Sequence, residues 1–88
     1  MQNKEWNKEL FPAILKQALY ERGMTQRGLA RIIGISPNSV HSYLIGRNLP
    51  TLDVFAKMAI ALNYSADYLL GFTGPKNLSG EDDSLKEE

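Results

Sequence analysis

Apolar residues recur every three or four positions along most of the chain, which is the spacing of one face of an amphipathic α-helix. These stripes predict five helices, at about residues 12–22, 26–33, 37–45, 52–62 and 66–70. Stripes of this kind are buried against one another. The expected fold class is therefore all-α, with five helices around one core.

Hydroxyl side chains stand where four of these helices begin, and there they can accept a hydrogen bond from an unpaired backbone amide. They are Thr25, Ser36, Thr51 and Ser65. Gly34 follows the second helix and can adopt the left-handed conformation that a sharp turn needs. A tight turn is therefore predicted between the second and third helices. Gly28 lies inside the second helix, where the pattern gives no firm reason for a glycine.

The length of 88 residues suits one small domain. Residues 1–9 are mostly polar and are predicted to be an N-terminal extension, followed by a helical domain at residues 10–72. From residue 73 the composition becomes charged and poor in apolar residues, which predicts a disordered acidic tail at residues 73–88.

The net charge of zero conceals an uneven distribution of charged residues. Residues 1–75 carry a net charge of +3 and residues 76–88 a net charge of −3. Between Arg22 and Leu52 there are four arginines and no acidic residue. Such a stretch favours contact with nucleic acid, although a solvated basic surface would have the same composition.

The chain lacks the residues that several classes of function need. The chain contains no cysteine and one histidine, so neither a disulfide nor a zinc site is expected. No paired carboxylates and no nucleophile with a base are evident, so we expect no enzyme and no cofactor. There is no apolar run of membrane-spanning length and no signal peptide, so the expected location is the cytoplasm.

The third helix carries an unusual outward face. At roughly 100° per residue, Val40 points to one side, while Asn38, His41, Ser42 and Ile45 point together to the other. A solvated helix face more often carries lysine and glutamate. Short amide and hydroxyl groups, with one methyl-bearing neighbour, suit contacts with the edges of DNA bases.

Residues at characteristic spacings now indicate a family. They are Thr25-Gln26, Leu29-Ala30, Gly34-Ile35-Ser36, Val40, Tyr43, Gly46, Pro50, Ala59, Leu62, Ser65 and Tyr68-Leu69-Leu70-Gly71. In this order they resemble the Cro/phage-repressor-type helix-turn-helix family, also called the XRE family. The resemblance covers about residues 15–72 and implies a five-helix, lambda-repressor-like DNA-binding domain. In such a domain the third helix, here residues 36–45, enters the major groove.

The resemblance also implies roles for individual side chains. The candidates for base contacts are Asn38, Ser39 and Ser42. The candidates for contacts with the DNA backbone are Gln26, Arg27, His41, Arg47 and Asn48. Each has a simpler alternative as a solvated polar residue, and Ser39 can instead complete the cap of its helix.

The expected activity is sequence-specific binding to double-stranded DNA by a dimeric regulator, most simply a repressor on a palindromic operator. An antitoxin or mobile-element regulator of the same fold is an alternative, as is a protein-interaction module that has lost DNA binding. No small-molecule ligand is expected, because the 88 residues show no separate sensing domain. The candidates for the homodimer contact are Tyr64, Tyr68, Leu69 and Phe72, with core packing as the alternative for each.

The chain departs from the family pattern at two places. Relatives often pair an arginine in the first helix with a glutamate near the end of the third, whereas Leu19 and Leu44 stand at these positions here. An apolar pair avoids the cost of burying two ions, and we expect the two leucines to be in contact. Pro37 replaces a frequent polar residue, so base reading rests on fewer side chains.

Overall fold

The computed structural model describes residues 5–72 and 75–78. A short 3-10 helix, Lys8–Leu10, leads into five α-helices. They are α1 (Phe11–Glu21), α2 (Gln26–Ile33), α3 (Pro37–Leu44), α4 (Leu52–Leu62) and α5 (Ala66–Leu70). Within these described residues the only extended pairing is an isolated bridge between Tyr64 and Asn77. The predicted all-α architecture is confirmed.

The four predicted N-caps are present. In each case the hydroxyl oxygen accepts a hydrogen bond from the backbone amide three residues later, as seen for Thr25, Ser36, Thr51 and Ser65. The first of these caps also explains Gly28. A Cβ atom at that position would lie 3.1 Å from the Thr25 hydroxyl oxygen that caps α2, so glycine leaves this oxygen room.

The core lies where the five helices meet. Its fully buried side chains include Leu15, Leu29, Val40, Met58, Leu62 and Leu69. Helix α3 packs against both α1 and α2, while α2 also packs against α4. Leu19 belongs to this core and Leu44 packs against it while partly buried, so both lie in apolar surroundings. Their mutual contact stays a prediction.

The start of the tail does not fit its predicted disorder. The backbone amide of Ser65 donates to the carbonyl of Lys76 at 2.7 Å, and the amide of Leu78 donates to the carbonyl of Asn63 at 3.2 Å. Residues 75–78 thus pack against the break between α4 and α5, where the left-handed Asn63 leaves backbone groups free to pair. The boundary predicted at residue 72 is wrong for this segment; residues 73–74 and 79–88 of the predicted tail lie outside the described part.

Arg22 joins this segment to the helices. Its Nε atom donates to the Leu62 carbonyl at 2.7 Å, and Nη2 donates at 3.0 Å to both the Asn63 carbonyl and Asn77 Oδ1. Its guanidinium lies 3.9 Å from the centre of the Tyr64 ring. A cation at the C-terminal end of α4 is favoured because the last carbonyls of a helix have no partner within it.

Tyr64 and Leu69 are fully buried, which corrects their assignment to a dimer contact. The Tyr64 ring fills the space between α1, α5 and the C-terminal segment, where its hydroxyl donates to Glu21 Oε1. Leu69 is the inward residue of α5. The apolar character of Tyr64 and Leu69 did not by itself show whether they belong to the core or to a contact surface. Tyr68 and Phe72 are half-buried.

The hydrogen bond from Tyr64 shifts the acidity of both partners. It lowers the pKa of Glu21 to about 2, with further help from Gln17 and from Lys76, whose Nζ lies 3.2 Å from Glu21 Oε1. Burial and the same bond raise the pKa of Tyr64 to about 12. The folded state therefore favours an ionised Glu21 and a neutral Tyr64 at neutral pH.

Glu21→Gln should make the fold less sensitive to acid. The pKa of Glu21 is about 2 in the folded protein, below its ordinary value of 4.5. The ionised carboxylate of Glu21 therefore stabilises the fold fully above pH 4.5, and this stabilisation is lost as the pH falls towards 2. In that range the melting temperature of the variant should decline less steeply than that of the unmodified protein. Glu9→Gln, on an exposed carboxylate outside this cluster, is the control. Equal slopes for all three proteins would contradict the role of Glu21.

A chain ending at Pro75 should be less stable than a chain ending at Leu78. Residues 76–78 supply two backbone hydrogen bonds and the Asn77 acceptor for Arg22. Losing them should cost on the order of 1 kcal/mol and lower the melting temperature by roughly 5 °C. Calorimetry on the two chains measures the difference. Identical melting temperatures would mean that the segment adds nothing to the fold.

Candidate nucleic-acid interface

Helices α2 and α3 form a compact unit joined through residues 34–36. Gly34 adopts the left-handed conformation, with φ of 77°, and ends α2. The side chain of Gln26 then ties the two helices together, because its Nε2 donates to the carbonyl of Pro37 at 3.2 Å. Gln26 is half-buried at the start of α2. This bond holds the beginning of α3 in place.

The outward face of α3 has the composition and orientation that the helical wheel predicted. Asn38, His41 and Ile45 are exposed, Ser42 is half-buried, and Val40 on the opposite side is fully buried. The Asn38 amide has no hydrogen-bond partner among the described residues. Its donor and acceptor are thus available to a ligand that approaches this face.

Ser39 differs from the other two candidates for base contacts. Its backbone amide donates to Ser36 Oγ at 3.2 Å, and the two hydroxyl oxygens lie 3.1 Å apart. The Ser39 hydroxyl is thus already engaged at the cap of α3. Asn38, Ser39 and Ser42 nevertheless line one groove of about 350 Å³, together with Asn48 from the following loop.

Exposed cations lie near both ends of α3. Arg27 and Arg31 on α2 line a groove with Pro37, at the start of α3. At the other end, Arg47 and Asn48 line a cleft of about 580 Å³ beside Ile45, Gly46 and the 3-10 helix. Lysine and arginine placed along the edges of a polar face suit the two phosphate backbones that border a DNA groove.

Arg22 does not belong to this surface, although it was counted in the basic stretch. Its guanidinium is bound to the C-terminal end of α4, so three arginines of that stretch remain exposed near α3. Lys8 was missed by the sequence analysis. It lines the same cleft as Arg47, and the assignment of residues 1–9 to an extension concealed it.

Two features of other protein classes are absent from the described residues. Over residues 5–72 and 75–78 there is no cluster of three or more histidine, cysteine or acidic side chains that could hold a metal ion. The same residues contain no helix that is long and apolar enough to cross a membrane.

Comparison with known families places the chain in a class. The family model described as helix-turn-helix matches residues 15–69, which is more than half of the chain. The chain belongs to this family, the Cro/C1-type or XRE helix-turn-helix proteins. These are DNA-binding transcription regulators and not enzymes. No curated protein is similar enough to the chain to count as a match.

Solved structures share the fold. The SOS-response transcriptional repressor LexA from Eubacterium rectale is 22% identical over 82% of this chain and 77% of that chain, with a TM-score of 0.70. A hypothetical transcription factor, NHTF, from Neisseria is 24% identical over 80% of this chain and 86% of its own, with a TM-score of 0.67. A transcriptional regulator from Listeria innocua is 23% identical over 88% and 69%, with a TM-score of 0.65. At these identities the similarity establishes the fold alone.

Arg47→Ala should weaken binding to all DNA sequences alike, because a phosphate contact carries no sequence information. The slope of log affinity against log salt concentration should fall in magnitude by about one unit, since one fewer counterion is released. Fluorescence anisotropy at several salt concentrations measures this slope. Lys16→Ala, which removes an exposed cation from α1, is the matched control. An unchanged slope for Arg47→Ala would move this residue off the DNA backbone.

Proposed function

We propose that the protein is a transcriptional repressor that binds a palindromic operator as a dimer, with α3 of each copy in the major groove. The exposed, uncharged polar face of α3, bordered by cations at both ends, is the observation that carries this proposal. Base edges offer donors and acceptors to such a face, and the phosphates on either side attract the cations.

Asn38 is the principal base-reading residue in this proposal. It lies in the first turn of α3, is exposed, and can pair bidentately with N6 and N7 of adenine. Ser42, one turn further along, makes a second contact on the same side. Ser39 contributes less, because its hydroxyl is engaged with Ser36.

The backbone contacts are assigned to residues around this face. Gln26 and Arg27 lie in the first turn of α2, where amide groups without helical partners also favour a phosphate. Arg47 and Asn48 approach the other strand from the loop after α3, and His41 lies on the exposed side of α3 itself.

Repression needs no catalysis, because a protein bound at a promoter excludes the polymerase. The protein would act in the cytoplasm, on DNA, without a cofactor or small-molecule ligand. An antitoxin or a mobile-element regulator of the same fold would also bind DNA, so these biological settings are variants of this proposal.

The dimer contact needs a surface other than the buried Tyr64 and Leu69. Leu52 at the start of α4 is 83% exposed, and with Trp6 and Leu49 it borders an apolar groove of about 220 Å³. Leu49 follows Arg47 and Asn48 in the same loop. A second copy bound at this groove would stand beside the DNA that the loop contacts, where an adjoining half-site would lie.

Asn38→Ala should retain the fold, because the residue is exposed and does not cap α3. Specific binding should lose about 1–3 kcal/mol per half-site, while binding to random DNA stays near its original strength. The loss should map to one base pair of each half-site, where a preference for A·T is relaxed. Competition binding against operator variants, obtained by selection from random DNA, measures this effect.

The control for Asn38→Ala is Asn48→Ala, which removes an amide from a candidate backbone contact. This variant should weaken specific and non-specific binding together. Equal losses on both kinds of DNA for Asn38→Ala would make Asn38 a phosphate contact instead. Absence of binding to any selected DNA by the unmodified protein would contradict the proposed function itself.

Leu52→Glu should prevent dimer formation on the operator without unfolding the chain, since an acidic residue is favourable in the first turn of a helix. The unmodified protein should reach two protomers per operator in sedimentation experiments, whereas the variant should require a much higher concentration to do so. Tyr20→Glu changes a residue that is 80% exposed on α1 and is the control. One unmodified protomer per operator at saturation would exclude the dimer.

A further inference from the structure

A groove between α2 and α4 exposes apolar side chains that the fold does not use. It has a volume of about 410 Å³, and its residues include Arg31, Ile32, Lys57, Ile60 and Ala61. Ile32 is 59% exposed and Ile60 is 68% exposed. The groove thus combines two large apolar side chains with two cations. An occupant that carries an apolar residue among acidic ones would be complementary to it.

The charged groups at this groove leave its positive character largely intact. Lys57 lies 3.8 Å from Asp53 on the same helix, and both side chains are mostly exposed, so this pair is loose. Arg31 has no ion pair among the described residues. An acidic segment could therefore engage both cations without first breaking a strong interaction.

Residues 79–88 of this chain follow Leu78, which lies near the end of α4. The amide of Leu78 is bound to the carbonyl of Asn63, at the end of α4. Ile60 and Ala61 lie within one helical turn of that carbonyl. The ten following residues could extend about 33 Å. A tethered segment this close has a high effective concentration at the groove.

We propose that residues 79–88 of this chain dock in the α2–α4 groove. Their sequence, SGEDDSLKEE, has Leu85 as its one large apolar residue, with five acidic side chains and one lysine, Lys86, so the segment remains strongly acidic. Leu85 would cover Ile32 and Ile60, while the acidic residues face Arg31 and Lys57. The tether favours this segment over a separate partner of the same chemistry.

Docking would also affect DNA binding, a consequence that rests on the proposed function. Arg31 borders both this groove and the groove that Arg27 shares with the start of α3. An acidic segment held at Arg31 would lower the positive potential near the candidate phosphate contacts and so weaken non-specific binding. It would leave the base-reading face of α3 open.

The direct test compares backbone amide chemical shifts of the full chain with those of a chain ending at Leu78, without DNA. We expect shift changes at residues 31–34 and 57–61, and their disappearance in high salt. A full-length Leu85→Ser variant should reproduce part of these changes, and Lys16→Glu, which does not line the groove, should not. Changes confined to residues next to the cut would overturn the proposal. So would changes centred on Arg47 or Asn38, or shifts that depend on protein concentration and thus indicate a second copy in the groove.

A second measurement tests the consequence for DNA. Removing residues 79–88 should tighten non-specific binding at low salt by roughly threefold, and the gain should vanish in an Arg31→Gln background. No gain on truncation would overturn this consequence, while a gain that survives in Arg31→Gln would place the segment elsewhere. Failure of every form of the protein to bind DNA would instead contradict the proposed function and leave the chemical-shift result standing.

Discussion

The burial of Val40 and Tyr43 fixes the rotation of α3 about its own axis, and the proposed interface depends on that rotation. Neighbouring residues of a helix differ by roughly 100° in direction, so a modest rotation would turn Asn38 away from the outside. The apolar side of α3 resists this because exposing Val40 would return apolar surface to water. The bond from Gln26 to the Pro37 carbonyl and the Ser36 cap then fix the start of the helix. The exposed face of α3, with Asn38 and Ser42, is thus held in a fixed orientation by the packing on its opposite side.

The ends of α1 and α4 are held together by a different kind of interaction. Arg22 binds the last carbonyls of α4 and lies on the Tyr64 ring, whose hydroxyl is bound to Glu21. Lys76 approaches the same carboxylate from the C-terminal segment. These contacts join the ends of α1 and α4 to residues far along the chain. The same contacts bind Arg22, one of the four arginines of the basic stretch, to the fold. The positive charge available near α3 is therefore smaller than the sequence suggests.

What the sequence predicted well depends on residues close together in the chain. The caps at Thr25 and Ser36, the turn at Gly34 and the inward direction of Val40 follow from spacings of a few residues. What it missed depends on contacts between distant residues. The partners of Arg22 lie about 40 residues away or more, and no local pattern shows that its charge is used there. For the same reason the buried Tyr64 resembled a surface aromatic, and the ordered residues 75–78 resembled the acidic sequence that follows them.

In the proposed function, the geometry of α3 leaves one copy with few side chains that can read bases, so specificity would depend on two copies. Pro37 at the start of the helix has no side-chain group that can read a base, and the Ser39 hydroxyl is engaged at the cap. In the proposed function, Asn38 and Ser42 would therefore carry most of the direct base reading by one copy. At about 1–3 kcal/mol for a good base contact, two such contacts would reach at most the lower part of the roughly 4–10 kcal/mol typical of a specific regulator. Occupying two half-sites doubles the contribution from base contacts. If the proposed dimer forms at the exposed Leu52 surface, that surface matters as much to sequence recognition as Asn38 does.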